Sequence, residues 1–312
     1  MAEVSLTTVS AAWAGLALVL LAGLALLAGV LDSRLSARAL GASRSGWSVP
    51  IAEGARLMRQ RRRVTLSADT LLWRVGGAGL IVAALLMVAV VPLGEWTIAD
   101  LDVGIVWFNA MDVMVWALVW MVGWGPNSAY SLVGGYRFLA HGLAYELPLM
   151  FALVAPAIAA ASLNVGAVAA AQQELWFVVW MPVAFAVYCL AVMGFSVWGP
   201  FSAAASTDLA GGVSAELSGV DRLLFNAGRY ALLTAGAAFA VPLFLGGDQG
   251  PLLPGWAWTL VKTVLLLSAL VWLRRRLPIL RPDQFMELGW IVLLPAVIVQ
   301  DLVVAVIAVW RA

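Results

Sequence analysis

The chain has 312 residues, of which 63% are hydrophobic and 11% charged, and its formal net charge is +1. Soluble globular chains average roughly 45–50% apolar and about 25% charged residues, so this composition is that of a polytopic membrane protein. The near-neutral charge and the absence of a basic amphipathic arm exclude nucleic acid as a partner, and one cysteine (Cys189) with one histidine (His141) excludes a disulfide framework and any zinc or iron–sulfur site built by this chain alone.

A spanning helix needs about 20 mostly apolar residues. Eight stretches reach that scale: 10–31, 70–92, 103–123, 138–163, 173–197, 223–246, 256–273 and 288–310. The expected fold is therefore an all-α polytopic membrane protein in which residues 1–312 form one membrane domain. The first stretch is not read as a cleaved signal peptide, because Glu3 stands where a basic n-region belongs.

After the first span, residues 32–69 carry Arg34, Arg38, Arg44, Arg56, Arg59, Arg61, Arg62 and Arg63, and the connection 274–287 carries Arg274, Arg275, Arg276 and Arg281. The connections near 93–102, 164–172 and 247–255 hold no Lys or Arg, while Glu95, Asp100, Asp102 and Asp248 lie in them. The positive-inside rule then assigns 32–69, 124–137, 198–222 and 274–287 to the cytoplasm and both termini to the outside. Within the first of these, "PIAEGARLMRQRRRV" (Pro50–Val64) mixes Ile51, Leu57 and Met58 with Glu53, Arg56 and the Arg61–Arg63 run, the pattern of an amphipathic helix lying at the interface. The alternative is a charge cluster that only fixes orientation. The 198–222 connection is long and rich in small residues, with Asp208, Glu216 and Asp221 among them, and long loops in compact proteins are more often functional or mobile than idle.

Ionisable residues inside the spans are the second signal. Arg74, Asp112, Glu146, Arg229, Lys262 and Asp301 each fall within an apolar stretch. Each costs about 2.5–3.5 kcal/mol at a helix centre on insertion scales, so such residues face a bundle interior or water. They either pair to hold helices together or carry charge. In "YRFLAHGLAYELPLMF" (Tyr136–Phe151), Arg137 and His141 are four apart and share a helix face. Glu146 points the other way, so its partner must be water or a different span. Pro148, lacking an N–H, leaves the carbonyl of Ala144 without its helical donor, which predicts a polar step or a simple kink there.

Three segments carry a resemblance. "GWGPNSAYSLVGGYRFLAHGLAYELPL" (Gly123–Leu149), "DLAGGVSAELSG" (Asp208–Gly219) and "LPILRPDQFMELGWIVLLP" (Leu277–Pro295) lie in the order and spacing of motifs of the H-subunit family of respiratory complex I, the NADH-quinone oxidoreductase. The resemblance covers nearly the whole chain, and its motifs together are specific. It implies a multi-pass subunit in the bacterial plasma membrane that forms the membrane side of a quinone chamber. It also implies iron–sulfur and other membrane subunits as partners, the lipid bilayer around them, quinone as the substrate of the complex, and no cofactor or metal bound by this chain alone. Carried over by position, Glu53, Arg56, Asp208, Glu216, Arg281 and Asp283 are the implied quinone-chamber residues. Glu146 and Lys262 match the family's buried Glu and Lys, and with the ionisable residues Asp112, Arg137, His141, Arg229 and Asp301 they are the candidate charge chain for proton translocation.

The chain also departs from the family's pattern. "ALGASRSGWSVP" (Ala39–Pro50) replaces an Arg-x-Gly-Pro-Asn segment, "PFSAAASTDL" keeps only Asp208 of an acidic run, Ile279 replaces an Arg, and Arg229 stands where a buried Glu is expected. An Arg at that position is expected to hold Glu146 ionised if the two approach. The resemblance therefore leaves a second reading, a subunit of a membrane-bound hydrogenase or antiporter-like complex without quinone chemistry. A stand-alone secondary transporter using Asp112, Glu146, Lys262 and Asp301, and a plain assembly scaffold, are the readings from other classes; the lack of a clear internal repeat counts against the transporter.

Overall fold

The computed structural model describes residues 6–41, 46–207 and 211–311; Asp208 lies outside the described residues. A short 3-10 turn leads into α1 (Ala14–Ala39), and α2 (Val49–Arg59) follows it. Next come α3 (Thr70–Val88), α4 (Gly104–Trp124) and α5 (Ala129–Ala160). Two short helices, α6 (Val165–Ala170) and α7 (Phe177–Trp180), precede α8 (Pro182–Phe195), and a 3-10 segment over Gly199–Ala205 leads on from it. The chain ends with α9 (Gly219–Phe244), α10 (Gly255–Leu273), α11 (Pro282–Leu288) and α12 (Leu294–Arg311), the last two joined through a π-helical turn at Gly289–Leu293. Among the described residues the only strands are two-residue pieces, β1 (Thr7–Thr8) and β2 (Trp96–Thr97), paired in parallel. Among the described residues eight helices are long and apolar enough to cross a membrane, and the chain is an all-α polytopic membrane protein.

Local chemistry explains several boundaries. Asp69 Oδ1 accepts from the N–H groups of Leu71 and Leu72, both at 3.1 Å, and so caps α3; Asn164 Oδ1 accepts from Ala167 N–H at 2.9 Å and caps α6. Pro182 has no N–H to continue a helix through Met181, which is why the stretch expected as one span over 173–197 is divided into α7 and α8. Residues expected as a loop over 124–137 are helical from Ala129, making α5 a 32-residue helix. At 1.5 Å per residue that is about 48 Å, longer than the ~30 Å hydrocarbon core.

The burial order inverts what hydropathy alone would give. The most apolar windows, in the first helix and the last, are only 22% and 17% buried by protein, whereas the least apolar, in α9, is 78% buried. Lipid takes the most apolar surface, and the helix that carries polar groups is surrounded by its neighbours. α9 packs against α3, α10, α1 and α8, and α5 packs against α4, α8 and α12. At the centre Phe108 of α4 stacks on Phe239 of α9, centroids 3.8 Å apart, with Phe195 edge-on at 6.2 Å. On α2, Leu57 is buried against the bundle, while Ile51 and Met58 are 62% and 68% exposed, an apolar outer edge suited to the interface.

Pro148 and Pro156 both lie inside α5 without ending it. The Ala144 carbonyl that Pro148 frees is covered by backbone: a Cβ built on Gly289, in the π turn, would lie 2.6 Å from Ala144 O. The polar step expected there is thus closed by a glycine contact from the last span. Gly289→Ala is expected to push the last span off α5, costing about 1–3 kcal/mol as overpacking does. Gly23→Ala, with nothing within 4 Å of the added carbon, is the neutral control. Thermal unfolding in detergent compares the two, and equal midpoints would refute the contact's importance.

Candidate functional site

Glu146 does find its partners on another span. Asn109 Nδ2 of α4 donates to Glu146 Oε1 at 3.1 Å, and one turn further along α4 Asp112 lies close enough to Glu146 for the two carboxyls to interact electrostatically. Tyr145 Oη donates to Asp112 Oδ1 at 3.4 Å and accepts from Trp116 Nε1 at 3.1 Å. Asp112 is completely buried, and Asp112 Oδ2 and Glu146 Oε2 have no hydrogen-bond donor among the described residues. Two such carboxyls side by side can be satisfied by one proton held between them, and a proton so held can be passed on.

Arg229 does not approach this pair in hydrogen-bonding contact. Its Nε donates to the carbonyl of Ser196 at 3.4 Å and its guanidinium also to the carbonyl of Val197, at the end of α8. The chain turns there through Val197 at φ +52° and Gly199 at +56°, which aims these carbonyls at α9. Arg229 is therefore a cationic cap on α8, and the expected Arg229–Glu146 pairing is replaced by Asn109 and Asp112 on one side and backbone carbonyls on the other.

Two cavities meet at Arg229. One, of about 510 Å³, is mostly apolar and is lined by α1, α2 and α9, including Leu21, Ala25, Glu53, Leu57, Ala227 and Tyr230. It ends on Asp32, where Arg274 Nη1 donates to Oδ2 at 2.6 Å and Arg275 Nη2 to Oδ1 at 2.9 Å, with the Arg274 guanidinium 4.5 Å from the Trp198 ring centroid. The other, of about 440 Å³, is polar and holds Arg137, Arg222, Arg229 and Arg274. Asn226, Arg229 and Arg274 line both.

The remaining predicted residues lie apart from one another. Glu53 lines the apolar cavity and accepts both Nε and Nη2 of Arg56, at 2.7 and 2.6 Å. Glu216 Oε1 accepts from Ser128 Oγ at 2.7 Å. Arg281 and Asp283 pair with each other at 3.1 Å, both exposed, and line neither cavity. Arg137 donates to the Gly211 carbonyl at 2.6 Å. His141, on the same face of α5 as Arg137, is fully buried between Phe201 and Phe285, because the 3-10 segment and α11 fold over that face. Lys262 gives its three hydrogens to the carbonyls of Leu245, Gly247 and Gln249, at 2.7, 3.0 and 2.7 Å, with the Trp176 ring 4.2 Å away. Asp301 is buried on α12, and neither carboxyl oxygen has a hydrogen-bond partner among the described residues. Sequence reasoning missed Asp32, Asn109, Tyr145 and Tyr230. Asp32 was the legible one, a carboxylate at the end of the first apolar run.

Residues 6–305 match the family described as NADH dehydrogenase. The chain is 34% identical over 280 residues to the second H subunit of the NADH-quinone oxidoreductase of Syntrophobacter fumaroxidans, covering 86% of this chain and 85% of that one. It is 35% identical over 265 residues to the protein of the same name from Geobacter sulfurreducens, covering 81% and 80%. It is also 35% identical over 292 residues to that of Cereibacter sphaeroides, covering 92% and 90%. The chain belongs to this family.

Lys262→Met leaves three carbonyls without a donor and is expected to lower stability by about 1–3 kcal/mol, read as a lower unfolding midpoint in detergent; an unchanged midpoint rejects the clasp. On α2, the hydrogen bond from Arg56 holds the Glu53 carboxyl below its ordinary value. A depressed carboxylate contributes stability that is full above its unfolded-state value and is lost as pH falls through the folded one. Hydrogen-exchange protection in α2, measured relative to the intrinsic exchange rate at each pH, should therefore fall in acid for the native chain and lose that pH dependence in Glu53→Gln.

Proposed function

We propose that this chain is the membrane subunit of a quinone oxidoreductase complex of the kind its relatives are named for, with the Arg-rich connections on the cytoplasmic side of a bacterial plasma membrane. Iron–sulfur subunits would dock on that side and supply electrons, since this chain has no residues to hold a redox centre. The quinone is a substrate of the complex, and this chain's part is to bind and orient it and to move charge in response.

The observation that carries this reading is the apolar cavity between α1, α2 and α9 that ends on Asp32, Tyr230, Arg229 and Arg274. An isoprenoid tail fits the first part, and a head group needs hydrogen-bonding partners at the second. Its 510 Å³ is within the size of small-molecule sites. Glu53 lines the α2 side of the cavity and is paired with Arg56, which makes that side polar.

The Asp112–Glu146 pair is the proposed start of the proton path. Its members sit on adjacent spans, share one set of polar neighbours, and are separated from the quinone cavity by protein. Asp301, buried on the last span, is the next unpartnered carboxyl among the described residues, and we place it further along the same path. Arg229 and Lys262 serve the path by holding helix ends rather than by carrying protons.

Ala227→Trp fills the cavity without touching the acid pair. In the assembled complex it is expected to raise the KM for a long-tailed quinone about tenfold or more with kcat retained, the signature of lost uniform binding. Glu146→Gln is expected to reduce proton translocation about tenfold or more, the lower reach of acid–base steps, while electron transfer continues. Quinone kinetics unmoved by Ala227→Trp in an intact complex would remove the cavity from the site, and full pumping in Glu146→Gln would remove the pair from the path.

A further inference from the structure

We propose that the polar cavity binds a phosphate-class anion. Arg137, Arg222, Arg229 and Arg274 line it together with Ser214 and Asn226, and no carboxylate among the described residues does. Arg274 has Asp32 as its counter-ion at 2.6 Å. Arg137, Arg222 and Arg229 are in no ion pair with another described residue. Among the described residues Arg137 and Arg229 hydrogen-bond only to backbone carbonyls, which satisfy donors but cancel no charge. Charges removed from water are ordinarily paired, so three guanidinium groups around one cavity, with no described carboxylate in ion-pair contact, call for an anion there.

The donors also say which anion. Guanidinium forks match the oxygens of phosphate, and a dianion neutralises more of this excess than a single carboxylate does. Ser214 adds an independent observation: it is only 4% exposed, its Oγ has no hydrogen-bond partner among the described residues, and it lines this cavity. A hydroxyl left in that state has an unused donor facing the space where a phosphate oxygen would sit. The cavity's 440 Å³ leaves room for more than the phosphate itself.

Two sources share this chemistry. An anionic phospholipid would place its head group here and a chain in the adjoining apolar cavity, through the wall formed by Asn226, Arg229 and Arg274. Basic pockets between spans on the cytoplasmic side are suited to such head groups. A soluble phosphate ester would use the polar cavity alone. The charge argument concerns the polar cavity only and so does not rest on the quinone reading, although a lipid chain would compete with a quinone tail for the apolar cavity.

The test uses the full chain in its assembled complex, held in phosphatidylcholine nanodiscs and titrated with radiolabelled inorganic phosphate by equilibrium dialysis. Saturable binding of one phosphate per chain is expected, weakened about tenfold or more by Arg137→Gln and by Arg222→Gln, the range for hydrogen bonds to charged groups. Including phosphatidylglycerol in the nanodiscs separates the sources: displacement of phosphate identifies the lipid head group, and undisturbed binding identifies a soluble ester. Arg222 lies in the first turn of α9 and is half-buried, so if Arg137→Gln fails to assemble, Arg222→Gln alone decides. The proposal is overturned by the absence of both saturable phosphate binding and phosphatidylglycerol retention. An affinity unchanged in the variants, or binding that emerges only after Asp208→Asn, overturns it equally.

Discussion

Inside a bilayer a carbonyl oxygen has no solvent to turn to, and every helix that ends or breaks leaves several of them without donors. The architecture of this chain depends on how those oxygens are satisfied. Arg229 of α9 donates to the carbonyls at the end of α8, and Lys262 of α10 to those that follow α9. Gln172, wholly buried, donates to the carbonyls of Val168 and Pro242 and accepts from the N–H groups of Phe177 and Gly246. Each of these side chains fixes the height of one element against the next. The order α8, α9, α10 is thus pinned by polar contacts, while apolar packing fills the space between.

This constraint sorts the buried charges. Lys262 has all three hydrogens committed to carbonyls, so the backbone it holds explains its position. Asp112, Glu146 and Asp301 are in the opposite condition, with oxygens that no described donor reaches. A row of membrane-depth charges therefore divides into groups that hold the backbone and groups whose valences are still open. Only the second kind can exchange a proton or an ion without dismantling a helix end.

The spans were legible because twenty apolar residues in a row have few other uses, and the turn of Glu146 away from Arg137 follows from helix geometry alone. The partners were not legible. Arg229 reads in sequence as a charge seeking a carboxylate, because nothing in "FSVWGP" announces that Val197 will take a positive φ and present two carbonyls. Likewise Pro148 correctly signals a freed carbonyl at Ala144, but the residue that covers it, Gly289, belongs to another span. His141 sits near the start of a long helix and so reads as near the interface, until α11 and the 3-10 segment fold over it. Sequence identifies which groups carry charge or lack a donor; only the fold decides what meets them.

The two cavities and the acid pair are joined by one continuous set of contacts. Arg229 borders both cavities and holds the carbonyls of Ser196 and Val197. Phe195, the residue before them, packs edge-on against Phe108, and the next residue on α4 is Asn109, the donor to Glu146. Contiguity carries coupling only where some element has two arrangements. The end of α8 has the means: a β-branched residue at φ +52°, a conformation that is sterically costly, held by the Val197 and Trp198 N–H groups bonded back to Gly194 and Met193 and by the bonds of the Arg229 guanidinium. A ligand in either cavity that drew Arg229 toward itself would loosen those bonds. Phe195 would be the first side chain to follow, and the set of contacts around Glu146 would change without the ligand ever touching it.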